Sequence, residues 1–179
     1  FTVTAASDGG VPVHLRIPGW SRGATITVNG ESQTVSDPGT YTRIDRSWNV
    51  GDLIELVLPM PVRVLRGHRL AEEITNQVAV RRGPVVYALE STDLPDGVVL
   101  EQAAFRRGTG FDVVRGEVAG APVALLQTQL VVVPESDEDS LYTELDNTEL
   151  ATASVSLIPY FAWGNRGPSE MSVWLPVVW

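Results

Sequence analysis

Few side chains in this sequence could do acid–base or nucleophilic work, and those few are poorly spaced for it. A catalytic triad needs a nucleophile, a base and a group that orients the base. The two histidines, His14 and His68, stand far apart in the chain. His14 alternates with apolar residues in "VPVHLRIP", which predicts a ring in solvent. His68 falls in "RVLRGHRLAEE", a loop between strands, where a polar contact is expected rather than a base. Two carboxylates can hydrolyse a glycosidic bond when folding holds them at the right separation. Here Asp52 sits at a turn and Glu55 on the outward side of a strand, so neither is poised. The chain has no cysteine, which excludes disulfides, thiolate metal sites and a cysteine nucleophile within it. A zinc site would have to lean on carboxylates, an improbable donor set. No residue is assigned a catalytic role, and no cofactor is expected in this chain.

The aromatics are the other chemical resource. Tyrosine and tryptophan bury large areas and also stack on sugar faces. "IPYFAWGNRGPSEMSVWLP" (158–176) gathers four of the large aromatics around a polar loop, Gly164 to Glu170. The pattern predicts a hairpin whose strands are Tyr160–Trp163 and Met171–Leu175. Its tip residues Trp163, Asn165 and Arg166 are the candidate substrate-binding or domain-docking group. Arg166 offers a planar donor fork for a carboxylate or for backbone carbonyls. Trp20 and Trp48 are expected to plug the core of a sandwich.

The elements that must position these groups look like strands. "VPVHLRIP" places Val11, Val13, Leu15 and Ile17 on one face, a strict period of two. Asn29-Gly30, between "ATITV" and "ESQTV", predicts a two-residue type I′ hairpin. Pro18-Gly19 suits a type II turn, and Pro38-Gly39 and Gly51-Asp52 mark further turns. The expected core of the first half is Val13, Leu15, Ile17, Ile26, Val28, Leu56 and Leu58. "VAVRRGPVVYALE" (78–90) is two short strands interrupted at Gly83-Pro84, and "STDLPDG" (91–97) is the expected linker. About ten strands without long helices predict an all-β chain of two antiparallel β-sandwich, jelly-roll-like domains in tandem, 1–92 and 93–179.

Composition narrows the partners. With 44% hydrophobic and 20% charged residues, the chain is globular. Its longest apolar run, "VALLQTQLVVV" (123–133), is too short and too interrupted to span a membrane as a helix. The net charge of −9 is concentrated in "PESDEDSLYTELDNTE" (134–149), a solvated loop or, less in keeping with its spacing, a cation site. An acidic chain without basic clusters argues against nucleic acid. All 13 basic residues are arginine, a skew typical of a GC-rich, bacterial genome. The chain opens on Phe1 already in strand-like sequence, as a piece of a longer protein would.

Five motifs occur in one order: "LRIPGWS" (15–21), "ITVNG" (26–30), "YTRIDRSWNVGDLIELVLPMPVR" (41–63), "VAVRRGPVVYALE" (78–90) and the aromatic segment at 158–176. Together they resemble the non-catalytic C-terminal part of glycoside hydrolase family 127, the β-L-arabinofuranosidase-like family. The resemblance implies that 1–92 is similar to the family's middle domain and 93–179 to its C-terminal domain. It further implies a parent enzyme with an (α/α)6-barrel catalytic domain, retaining chemistry, and a cysteine nucleophile beside a zinc held by three cysteines and a glutamate. That zinc belongs to the absent barrel. The expected partners are the parent's own barrel and a second copy of the chain. An independent carbohydrate-binding module is the alternative.

Overall fold

The fold is that of a computed structural model, which describes residues 1–6, 9–134 and 150–178. Every regular element among them is a β-strand or a three-residue 3-10 turn. The chain is all-β. It divides into two compact units, Phe1–Pro61 and Val62–Trp179.

The first unit contains β1 (Val13–Arg16), β2 (Thr25–Val28), β3 (Glu31–Gln33), β4 (Tyr41–Ile44) and β5 (Ile54–Val57). β1 pairs with β4, while β2 lies between β3 and β5. The alternation anticipated from sequence decides the faces. Leu15 is buried between exposed His14 and Arg16, and Ile26 and Val28 are buried in β2. The two small sheets share one core, with Ile17, Ile44, Ile54 and Trp48 completing it. Burying each such side chain is worth about 1.5–3 kcal/mol. Val13 and Leu56 pack against this core half-buried, whereas Leu58 is outside it and Val11 is 52% exposed. The strand starts only at Val13, so the alternation does not reach Val11.

The Asn29-Gly30 hairpin forms as expected. Val28 pairs with Glu31, and both turn residues have positive φ, 52° and 82°, as a type I′ turn requires. The turn with glycine at positive φ occurs at Pro38-Gly39, where φ is 95° and the Thr40 N–H bonds the Asp37 carbonyl. Pro18-Gly19 differs. Pro18 is the carbonyl end of its turn, bonded by the Ser21 N–H, and Gly19 is not among the positive-φ glycines.

The second unit contains β6 (Val62–Arg66), β7 (Gln77–Arg82), β8 (Val85–Glu90), β9 (Ala103–Arg106), β10 (Asp112–Val118), β11 (Ala121–Val132), β12 (Ala151–Pro159), β13 (Met171–Ser172) and β14 (Leu175–Val178). Six of these close on themselves in the order β8-β12-β11-β9-β14-β7 and back to β8. The second unit is therefore a six-stranded barrel, where an open jelly-roll-like sandwich was expected. β14 closes it, pairing antiparallel with β7 on one side and parallel with β9 on the other. Val80, Leu89, Phe105, Leu130, Leu157 and Leu175, one from each strand of the ring, meet in a single core. β6, β13 and β10 hang off this ring on β7, β8 and β11.

The boundary at Pro61–Val62 lies ahead of the 91–97 segment expected as the linker. The reason is pairing. β7 and β8 form a hairpin at Gly83-Pro84, with glycine at φ 57° in the first turn position, and both strands then pair with C-terminal elements. They belong to the barrel. Residues Ser91–Asp93 form a 3-10 turn directly after β8. The acidic stretch, with any cation it holds, lies outside the described residues beyond Pro134.

Candidate functional site

β8 reads "VVYALE", and its last four residues are buried. The strand thus carries a carboxylate, Glu90, into a fully buried position. A bare charge there would be costly, so the fold must supply donors. They come from the loop that follows β12. Glu90 Oε1 accepts the Gly164 N–H at 3.0 Å and the Ser169 hydroxyl at 2.9 Å. Oε2 accepts Arg166 Nε–H at 2.8 Å and Arg166 Nη2–H. The same guanidinium donates through Nη1 to Asp93 Oδ1 at 2.9 Å and through Nη2 to Oδ2. A two-way tie between Ser91 and Glu170 closes the cluster, Ser91 N–H to the Glu170 carbonyl at 2.9 Å and Glu170 N–H to Ser91 Oγ at 3.2 Å.

Burial alone would raise the Glu90 carboxyl. The bonds from Gly164, Arg166 and Ser169, with the charge of Arg166, outweigh it and hold Glu90 below its ordinary range. Arg166 is held above its ordinary value, first by Asp93 and then by Glu90, against the opposing effect of burial. Four donors occupy the two oxygens of Glu90, leaving no acceptor free to take a proton or attack a substrate. The cluster is a staple. It pins the 164–170 loop to the end of β8.

The expected hairpin at 158–176 is not formed. β12 stops at Pro159, Tyr160–Ala162 is a 3-10 turn, β13 pairs with β8 and β14 with β7 and β9. Ala162 is buried with Ile158 and Val118, which seats the turn. In a 3-10 turn residues i and i+3 eclipse. Tyr160 and Trp163 accordingly lie with ring centroids 6.4 Å apart and planes 21° apart. Both are exposed, and Phe161 between them is 70% exposed. Of the three candidate residues, then, Trp163 is a surface aromatic. Asn165 turns its amide back to the Ala162 carbonyl at 3.1 Å, and Arg166 is engaged by Glu90 and Asp93 in the staple. Glu90, Asp93 and Ser169 were missed by sequence reasoning. Their signal was an acid ending an apolar strand, with a hydroxyl and an acid just after it.

Among the described residues of the first unit the buried carboxylate is Asp52, and it too is structural. It accepts Asn49 N–H at 2.9 Å and Asn29 Nδ2–H at 2.8 Å, while Asn29 Oδ1 accepts the Leu53 N–H at 2.8 Å. The Asn49 N–H and then Asn29 hold its carboxyl below the usual value. Glu55 points outward and takes the Thr27 hydroxyl at 3.1 Å. His14 and His68 are exposed, and His68 Nδ1 accepts the Leu70 N–H at 3.3 Å. Trp48 is buried, its indole N–H donating to the Val11 carbonyl at 2.7 Å, while Trp20 is half-buried.

Comparison with known proteins agrees with this architecture unit by unit. Residues 62–176 match the glycoside hydrolase family 127 C-terminal domain, and residues 1–60 match the beta-L-arabinofuranosidase, GH127 middle domain. The chain belongs to glycoside hydrolase family 127. The boundary between the two family matches coincides with the division at Pro61–Val62. A non-reducing end beta-L-arabinofuranosidase from Bifidobacterium longum subsp. longum is 35% identical over 178 residues. That match takes in 94% of this chain and 26% of the bifidobacterial enzyme. A solved glycoside hydrolase structure aligns with a TM-score of 0.86 at 38% identity, over 96% of this chain and 28% of its own. The GH127 beta-L-arabinofuranosidase from Geobacillus stearothermophilus T6 aligns at 0.76 and 34% identity, over 95% and 27%. This family 127 chain therefore spans about a quarter of the length of the relatives it matches.

The zinc implied by the family does not fit this chain. There is no cysteine to supply thiolates, and no three histidine, aspartate or glutamate side chains gather into a metal-binding group among the described residues.

Proposed function

We propose that this chain is the non-catalytic β portion of a retaining, β-L-arabinofuranosidase-like glycoside hydrolase. In this reading it supports an (α/α)6-barrel catalytic domain, and the zinc and its cysteines reside in that barrel. The observation that carries the reading is the correspondence of two family domains to the two compact units, within relatives about four times longer. The spending of Glu90 and Asp52 on structural bonds supports it from the chemical side. The experiment is a comparison of parent enzymes with and without these residues. Removing them should lower the thermal stability of the barrel, while the isolated chain should hydrolyse no aryl β-L-arabinofuranoside.

The exposed trio Tyr160, Phe161 and Trp163 is the docking patch in this reading, with the staple behind it fixing its shape. One observation favours the second reading, a carbohydrate-binding module: Tyr160 and Trp163 are both exposed and nearly parallel. Trp163→Ala separates the two. Docking predicts a less stable full-length enzyme with unchanged sugar affinity; a module predicts the reverse.

A further inference from the structure

Outside the staple, the second unit carries a groove of about 880 Å³, within the roughly 300–1,000 Å³ typical of ligand sites. Its floor is the outer face of β11 and β12. Register puts Gln127 opposite Ser156 and Gln129 opposite Ser154, and all four side chains line the groove. The turn at Asp93 and the 106–112 loop form its rim, with Arg106, Asp112 and the ring of Phe111.

The chemistry of this lining selects a ligand. β11 and β12 pair with each other along Leu126–Val132 and Ala151–Leu157, so the backbone groups between them are spent. The face they turn to the groove is one of side chains, Gln127, Gln129, Ser154 and Ser156. Amides and hydroxyls each donate and accept, and their natural complement is a ligand whose groups also do both. Charge does not favour an ion: Arg106 and Asp112 offset one another on the rim, and Asp93 is already engaged by Arg166. Phe111, half-buried and braced edge-on by Phe105 at 5.5 Å, offers an apolar face at the rim.

We propose that this groove is a binding site for a neutral oligosaccharide. Gln127 and Gln129 bond its hydroxyls, and Phe111 contacts a sugar face. The proposal rests on the groove alone and stands whichever glycosidase the parent is.

The test is a titration of the chain with neutral arabino-, galacto- and xylo-trisaccharides, with trigalacturonate as the charged control, read by nuclear magnetic resonance shifts and calorimetry. One neutral trisaccharide is expected to bind saturably with Kd of about 0.1–1 mM. Gln127→Ala and Gln129→Ala are each expected to weaken it about five-fold, the worth of one hydrogen bond. Both side chains are exposed, so the variants should keep the wild-type circular dichroism. No saturation by any neutral trisaccharide at about 10 mM overturns the proposal. So does binding that survives both glutamine variants, or binding that Trp163→Ala abolishes, which would move the site to the aromatic patch. Tighter binding of trigalacturonate would contradict the neutral class.

Discussion

The guanidinium of Arg166 closes on the buried carboxylate of Glu90, 76 positions earlier in the chain, and reaches past it to Asp93. One side chain thereby ties the loop after β12 to the end of β8 and to the turn that follows.

That tie has a measurable worth. Arg166→Ala leaves Glu90 buried with half its donors, and should cost about 3 kcal/mol in a urea melt of the chain. Arg166→Lys should recover less than half of the loss, because a point charge cannot serve two carboxylates through separate nitrogens. A loss below about 0.5 kcal/mol, the level of an ordinary surface change, would mean that the pair does not hold in water.

Acid should loosen both units. Glu90 and Asp52 are both depressed below their ordinary values in the fold. Their contribution is therefore complete above the usual carboxylate range, about pH 4, and is lost as pH falls through the lower folded values. A urea midpoint that stays flat from neutral pH to about 5 and then drops is the expected profile. In Glu90→Gln the acid drop should be shallower from a lower plateau.

The first core can be tested at Leu15, which is 8% exposed among Ile17, Ile26 and Ile44. Leu15→Ala should cost about 2–5 kcal/mol through lost burial and a residual cavity. A change well under 1 kcal/mol would reverse the face assignment of β1.

At the tip of the β10–β11 hairpin, Ala119 has φ 49° beside Gly120 at 79°. An alanine in the left-handed region is strained by about 1 kcal/mol. Ala119→Asn should raise stability by about 0.5–1 kcal/mol, since asparagine tolerates that region. A destabilising result would place a packing role on the alanine methyl.

Much of the fold was legible because short-range rules govern it. The Asn29-Gly30 turn needs two positive φ values, and the alternation of Leu15, Ile26 and Val28 needs only a pleat. Closure of the barrel was not legible. It depends on β14 finding β7 and β9, a pairing that periodicity does not encode. The same gap misplaced the domain boundary, since β7 and β8 look local until their C-terminal partners are known. At the aromatic loop, alternation in "YFAW" suggested a strand, but Pro159 precedes a 3-10 turn that turns Tyr160 and Trp163 to the same side. Arg166 was recognisable as a donor fork. Its acceptor was not, because Glu90 lies 76 positions away and hydrophobic patterning does not mark a buried acid.

The most direct measurement is hydrolysis of an aryl β-L-arabinofuranoside by the purified 179-residue chain and by its full-length parent. The parent should turn the substrate over, and the chain alone should release no aglycone above buffer. Turnover by the chain, abolished by a single substitution such as Glu90→Gln that leaves it folded, would contradict the assignment of these two units to a supporting role.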